Sequence, residues 1–298
     1  MATNAPRIAW LLNLDADREL RDPIHYRPVK LTGTPHDLVA QIADLVGAED
    51  LVLDEPIQSS GLQPDDYTVL TFCPTPSALA QIVRLGFTAP AAPAFEVLRR
   101  VNERAFCAEL GQYLPRSYFA RDMHSLERHL GQPSPTDRYV IKRAFSFAGR
   151  EQRRVEHGVL DDSTRGFCRN SFARGEGVQV EPWVERLGDF SRHGYLSPTG
   201  TLAIGETREQ RCDPFGRFQG VSTGTAEVTE DEAEILAAEL KLTAAALTAA
   251  GYFGPFGIDG FRYRLPDGTT GFNPRCEINA RFTMGYPRAL LLDALTHS

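Results

Sequence analysis

Two short stretches near the C-terminus decide how this chain is read: Gly257-Ile258-Asp259-Gly260-Phe261 and Glu277-Ile278-Asn279-Ala280-Arg281. Between them lies Pro266-Asp267-Gly268, where proline presets the first turn position and glycine supplies a left-handed residue. The pattern predicts a hairpin with Asp259 opposite Arg275 and Glu277 as a diagonal neighbour. Alternation then assigns Asp259, Asn273, Arg275, Glu277, Asn279 and Arg281 to one face. Phe256, Ile258, Phe272, Cys276, Ile278, Ala280 and Phe282 fall on the other. The apolar face needs only a core. The polar face is rich in residues that strands disfavour, and it brings two carboxylates within reach of one cation. Two carboxylates and an amide oxygen are hard ligands suited to Mg²⁺, although a solvated face with one acidic pair explains the pattern equally well.

Composition narrows the alternatives. The 298 residues favour about two domains and bury a core without staples. A net charge of −7 disfavours a nucleic-acid partner that is held by phosphate neutralisation. The five cysteines are odd in number and widely spaced, with no CxxC or Cys/His cluster, which argues against a disulfide framework or structural zinc. Ile8 to Leu12 is too short an apolar run for a signal peptide or a membrane span. The expectation is a cytoplasmic protein with no membrane partner.

Working outward, Arg7 to Leu14 reads as a buried strand followed by a polar loop. A helix is predicted over 35–46, and short strands at Leu51–Leu53 and Thr68–Phe72. This alternation is a small α/β unit ending at the Ala/Pro-rich stretch 89–94. Beyond it the spacing predicts a helix over 95–110 and strands at 139–144 and 177–184. A hairpin should turn at Ser197–Gly200, and a helix should open with the capping box Thr229/Glu232 and stop at Gly251.

The paired hairpin stretches resemble the magnesium signature of the ATP-grasp family. The resemblance runs upstream in the family's order, through Lys142, Glu181-Pro182-Trp183-Val184, Asp189 and Arg104. It implies an ATP-grasp fold of mixed α/β and α+β class, with a small N-terminal α/β domain (1–94), a central lid subdomain (95–184) and a C-terminal subdomain carrying the metal hairpin (185–298). It also implies site roles. Asp259, Glu277 and Asn279 would hold one or two Mg²⁺ ions on ATP, and Lys142 and Arg104 would contact the nucleotide's phosphates. Glu181, the Pro182 carbonyl and the Val184 N–H would meet adenine, and Asp189 would meet the ribose, with Glu185 as competitor. Arg281 would assist phosphates or the acyl substrate, and Ser146 to Arg150 would cover the phosphates with a single glycine. The implied activity is an ADP-forming ligase that joins a small carboxylate to an amine, and a homodimer is compatible with it. A kinase on the same scaffold and a non-catalytic nucleotide-binding regulator are the alternatives. Each element has a plain structural reading as well: Lys142 as an edge-strand surface lysine, Trp183 as a packing corner, Arg211 as a solvated strand arginine.

Overall fold

The structure, a computed structural model, describes residues 7–28, 42, 44–53, 63–145, 151–213, 218–222 and 227–296. Strand β1 (Ile8–Leu11) is buried along its whole length between two parallel neighbours, β2 (Leu51–Val52) and β3 (Thr68–Thr71). A parallel sheet covered on both faces requires such continuous apolar runs. One face packs Leu11 and Val69 on Ile82 of α2 (Pro76–Arg84). The other packs Trp10 and Phe72 on Phe282, Tyr286 and Leu291, the last in α8 (Arg288–Thr296). The chain's end thus returns to its first unit, where Arg288 clamps Asp50 at 2.5 and 2.7 Å. The helix predicted over 35–46 lies mostly outside the described residues. The loop expected after β1 is instead a short helix, α1 (Ala16–Arg21), with Ala16, Asp17, Glu19 and Leu20 buried. Its acids lie in the first turn and Arg21 in the last, an order that suits the helix dipole.

The second sheet has the order β4 (Tyr118–Ala120), β7 (Val178–Pro182), β5 (Arg138–Arg143), β6 (Gln152–Glu156). Helices α5 (Met123–Leu130) and α6 (Asp162–Ala173) share a core with it around Leu126, Ile141, Phe167 and Val180. Both are N-capped by aspartate, Asp122 on Ser125 and Asp161 on Thr164, each at 2.7 Å.

The third sheet is antiparallel, in the order β10 (Phe218–Val221), β9 (Leu202–Cys212), β8 (Glu185–Leu196), β11 (Gly254–Arg264), β12 (Thr270–Asn279). The expected turn at Ser197–Gly200 joins β8 to β9, and α7 (Glu230–Ala249) opens with the expected capping box. The helix predicted over 95–110 is broken in two, α3 (Phe95–Asn102) and α4 (Arg104–Glu109), because Glu103 is extended. The break has a use. It lets Asn102 accept from the Ala280 N–H (3.0 Å) and donate to the Ala280 carbonyl (3.2 Å), so the end of the hairpin is tied to α3.

The hairpin itself departs from the predicted register. Near the turn the expected pairing holds, with Phe261 opposite Asn273. Beyond a bulge, Asp259 lies directly opposite Glu277, not diagonal to it. Two extra residues of β12 are absorbed opposite Gly260, where a Cβ would come within 2.8 Å of the Asn273 carbonyl and 3.0 Å of the Pro274 carbonyl. Pro274 sits in the bulge, where a missing N–H costs no ladder bond. The bulge corrects the alternation rule for two residues. Arg275 turns to the helix side and pairs with Glu239 of α7 at 2.5 Å, whereas Cys276 joins Val184, Phe261 and Tyr263 on the opposite side.

A second irregularity falls at His193, where β8 shifts register against β9. His193 is fully buried, 2.8 Å from the Thr283 hydroxyl and edge-on to Tyr286. Burial, with Arg208 adding to it, depresses its pKa to about 3. Because the unfolded chain takes up this proton below about pH 6.5 and the folded chain refuses it, His193 costs stability as the pH falls, about 1.4 kcal/mol per pH unit. Urea denaturation of His193→Gln between pH 7 and pH 5 should show a shallower loss of stability than the parent. Parallel curves would mean that another group governs this range.

Candidate functional site

The facing acids of the bulged hairpin are the starting point. Asp259 is held on both sides: Gln210 of β9 donates to Oδ1 and the Asn279 amide to Oδ2, each at 2.9 Å. Burial, then the charge of Glu277 opposite, raises the Asp259 carboxyl to about 7. Two carboxylates facing each other across a strand pair favour a cation beside them. Glu277 takes one from outside the strand pair, Arg104 at the start of α4, at 2.9 Å. Arg104 is itself fixed by donating to the Arg143 carbonyl at 3.0 Å, so the first turn of α4, the end of β5 and the hairpin converge here.

On the other side of Asn279 stands Arg281. Its Nη1 donates to the Asn279 amide oxygen at 2.8 Å and its Nη2 pairs with Asp17 of α1 at 3.0 Å. Two facing carboxylates suit a hard divalent cation that keeps part of its water shell, and the Asn279 amide oxygen would join them only on leaving Arg281. The amide nitrogen of Asn279 is turned toward Asp259 and its oxygen toward Arg281. Among the described residues no cluster of three His, Cys, Asp or Glu forms an alternative metal site.

The second sheet supplies a further wall. Lys142 of β5 and Glu181 of β7 lie diagonally on one face and pair at 2.7 Å, both largely buried. Burial opposes the charge on Glu181, but the Lys142 ammonium outweighs it and holds the carboxyl below its usual range. Lys142 is therefore no surface lysine. It donates one N–H to Glu181, and among the described residues the other two have no hydrogen-bond partner. Glu181 and Pro182 end β7, and Trp183 and Val184 form the link to β8. Trp183 packs under the Arg154 guanidinium at 4.1 Å, so its packing role is real. Val184 joins Leu114, Phe261, Tyr263 and Cys276 in a small apolar cluster between the second and third sheets. Asp189 of β8 pairs with Arg186 at 2.5 Å, and the Arg186 guanidinium stacks 4.0 Å over Phe261. The competitor Glu185 pairs with Arg264 at the exposed strand edge. The segment 146–150, expected to cover phosphates, lies outside the described residues.

Solved structures share this fold. A D-cycloserine synthetase, DcsG, aligns over 97% of this chain and 99% of its own at 14% identity, with a TM-score of 0.56. The D-alanyl-alanine synthetase A of Vibrio cholerae O1 aligns over 98% and 94% at 13% identity and a TM-score of 0.51. The N5-carboxyaminoimidazole ribonucleotide synthetase of Thermus thermophilus aligns over 93% and 72% at 17% identity and a TM-score of 0.51. This chain has the ATP-grasp fold. No family model matches the sequence, and no curated protein matches it. At these identities the likeness fixes the ATP-grasp architecture, and the site must be argued from this chain's own residues.

The candidate site gathers Arg104, Lys142, Glu181, Asp259, Glu277, Asn279 and Arg281 from two sheets, one helix and the bend after β12. Three groups at it escaped the sequence reading. Gln210 lies on a strand whose polar residues show no distinguishing pattern, and Asp17 lies in a helix where the pattern predicts a loop. Arg186 pairs with Asp189, and a cation three residues from an acid on the strand after the hinge is the signal that marks it. The buried Lys142–Glu181 pair makes a testable claim. Removing one partner of such a pair strands the other and costs about 3 kcal/mol, whereas removing both costs far less. In urea titrations Lys142→Met should therefore be clearly less stable than Lys142→Met/Glu181→Gln. The reverse order would show that the pair is solvated.

Proposed function

We propose that this protein is an ATP-dependent, ADP-forming ligase that activates a small carboxylate as an acyl-phosphate and joins it to an amine. The observation that supports the reading best is the Asp259/Glu277 acid pair, bracketed by Lys142 and Arg104 on one side and Arg281 on the other. Such an array of alternating charge suits a polyphosphate with its metal, because phosphoryl transfer asks for positioning and charge neutralisation more than covalent help. The relatives of similar fold include synthetases crystallised with ADP, such as an N5-carboxyaminoimidazole ribonucleotide synthetase.

In this reading Asp259, Glu277 and Asn279 would hold Mg²⁺, which would supply positive charge to neutralise phosphate oxygens. Lys142 turns its two remaining N–H groups to the phosphates, and Arg104 adds a second cation beside Glu277. The base lies in the apolar cluster of Val184, Phe261 and Cys276. Glu181, the Pro182 carbonyl and the Val184 N–H read its edge, and Asp189 reads the ribose. The Arg281 guanidinium stands beside the hairpin and orients the incoming carboxylate. A carboxylate oxygen bonds to the γ-phosphorus as the bond to ADP breaks. The amine then bonds to the acyl carbon, and phosphate leaves as the nitrogen gives up a proton to solvent or a nearby carboxylate.

Four experiments test this. ADP release from Mg²⁺-ATP in the presence of pooled amino acids and small carboxylic acids should exceed the acid-free rate. With hydroxylamine replacing the amine, a hydroxamate should accumulate. A phosphorylated alcohol with no hydroxamate would assign the protein as a kinase. Glu277→Gln should lose at least 100-fold in ADP release while circular dichroism stays unchanged. Near-parental turnover by this variant would remove Glu277 from the metal site. Mg²⁺-ATP should raise the melting temperature of the parent, and Lys142→Ala should lose most of that rise; an undiminished shift would take Lys142 out of the nucleotide site.

A further inference from the structure

The row of side chains that crosses the third sheet through Asp259 does not end at the hairpin. Ser191 of β8 lies opposite Asp259, and Arg208 of β9 lies opposite Ser191. Paired residues of adjacent strands share a face, so Arg208, Ser191, Asp259 and Glu277 stand in one row on the site face. Gln210, two residues beyond Arg208 on that face, is the side chain that donates to Asp259 Oδ1. Arg208 therefore stands about 7 Å along β9 from a residue in direct contact with the acid pair. Arg211 has the opposite parity and falls on the other face.

Arg208 differs from the other arginines of the site in what holds it. Arg281 gives one Nη to Asn279 and the other to Asp17, and its side chain is 6% exposed. Arg104 pairs with Glu277 and is 8% exposed. Arg208 is 24% exposed. Its Nη1 donates to the Gly285 carbonyl at 3.2 Å, and its Nη2 lies 3.3 Å from Asp44, whose carboxylate is 46% exposed. Among the described residues Asp44 is its only acidic partner, and an ion pair this open to solvent holds its members weakly. Asp44 precedes Leu45 and Val46 in the core of the first unit, so the guanidinium stands at the seam between that unit and the site face of the sheet. Clefts for small molecules form at such seams. Ser191, between Arg208 and Asp259 in the row, is small, so nothing bulky rises from β8 there. It is fully buried, and its hydroxyl has no partner among the described residues, a costly state that a ligand or water oxygen relieves.

We propose that Arg208 binds the substrate carboxylate: its guanidinium bonds one oxygen of the acid and leaves the other free to meet the γ-phosphoryl group. The inference rests on the ligase reading given above and adds to it the residue that carries affinity for the acid. The planar fork suits the task, because its two ends serve different partners. Nη1 stays on the Gly285 carbonyl and keeps the group oriented, while Nη2 exchanges Asp44 for the substrate oxygen. One carboxylate replaces another, so the charge of Arg208 stays matched throughout, and Asp44 is a placeholder. Arg281, with both Nη groups engaged by the protein, acts on the incoming anion through its charge.

The test follows ADP release by the full chain from Mg²⁺-ATP, with the pooled amino acids and small carboxylic acids as the probe. Arg208→Gln should raise the acid concentration for half-maximal release about 10-fold or more, the loss of one charge-assisted hydrogen bond. The ATP concentration for half-maximal release should change less than about twofold. Arg208→Lys keeps a cation without the fork and should raise the acid requirement about 3-fold; it also serves if Arg208→Gln does not fold. Asp44→Asn removes only the placeholder's charge and should leave the acid requirement unchanged or lower it. A parental acid requirement in Arg208→Gln, or in Arg208→Lys where that is the variant that folds, overturns the proposal. An equal rise in Asp44→Asn overturns it too, because Arg208 would then be a clamp between the two units. So does a rise for acid and ATP alike, which would mean a general loss of the site's shape. ADP release by the parent that no acid stimulates would instead retire the ligase reading on which the proposal rests.

Discussion

The structure depends on one electrostatic constraint: Asp259 and Glu277 face each other across β11 and β12 with little water around Asp259. Like charges at that range oppose folding unless every neighbour compensates, and the surrounding elements do so. Arg104 answers Glu277, and the amides of Gln210 and Asn279 answer Asp259. Asn102 ties the end of the hairpin through Ala280. The break between α3 and α4 lets Asn102 make that tie, and the bulge at Gly260 brings the two acids opposite each other.

The cations near the site are themselves mostly engaged. Lys142 pairs with Glu181, Arg281 with Asp17 and Arg186 with Asp189. A pre-paired cation is held in place before a ligand arrives, which lowers the entropic cost of binding and keeps buried charge tolerable. In the proposed function the nucleotide and its metal exchange for part of these partners, so the ligand-free network doubles as a mould for the charge it receives.

Most of the architecture can be read from sequence where local chemistry suffices. The capping box at Thr229 and Glu232, the turn at Pro266–Gly268, the buried run of β1 and the Ser197–Gly200 turn each depend on a few adjacent residues, and each forms as expected. The helix over 95–110 fails at Glu103 because its break serves a contact with Ala280, far along the chain. Likewise α1 buries Asp17 against Arg281, a partner that no local pattern announces.

The sequence by itself determined that a hairpin at 254–279 would carry Asp259, Glu277 and Asn279 together, since turn chemistry and the two-residue period are local properties. It likewise placed Lys142 on a strand and Glu181 at a strand's end. Only tertiary structure decided that Asp259 stands directly opposite Glu277, that Arg275 and Cys276 exchange faces, and that Asp17 and Gln210 close the two ends of the network. The physical reason is that alternation counts residues along a regular ladder. A bulge inserts residues without a signal in the count, and a buried charge finds its partner through space and not through spacing.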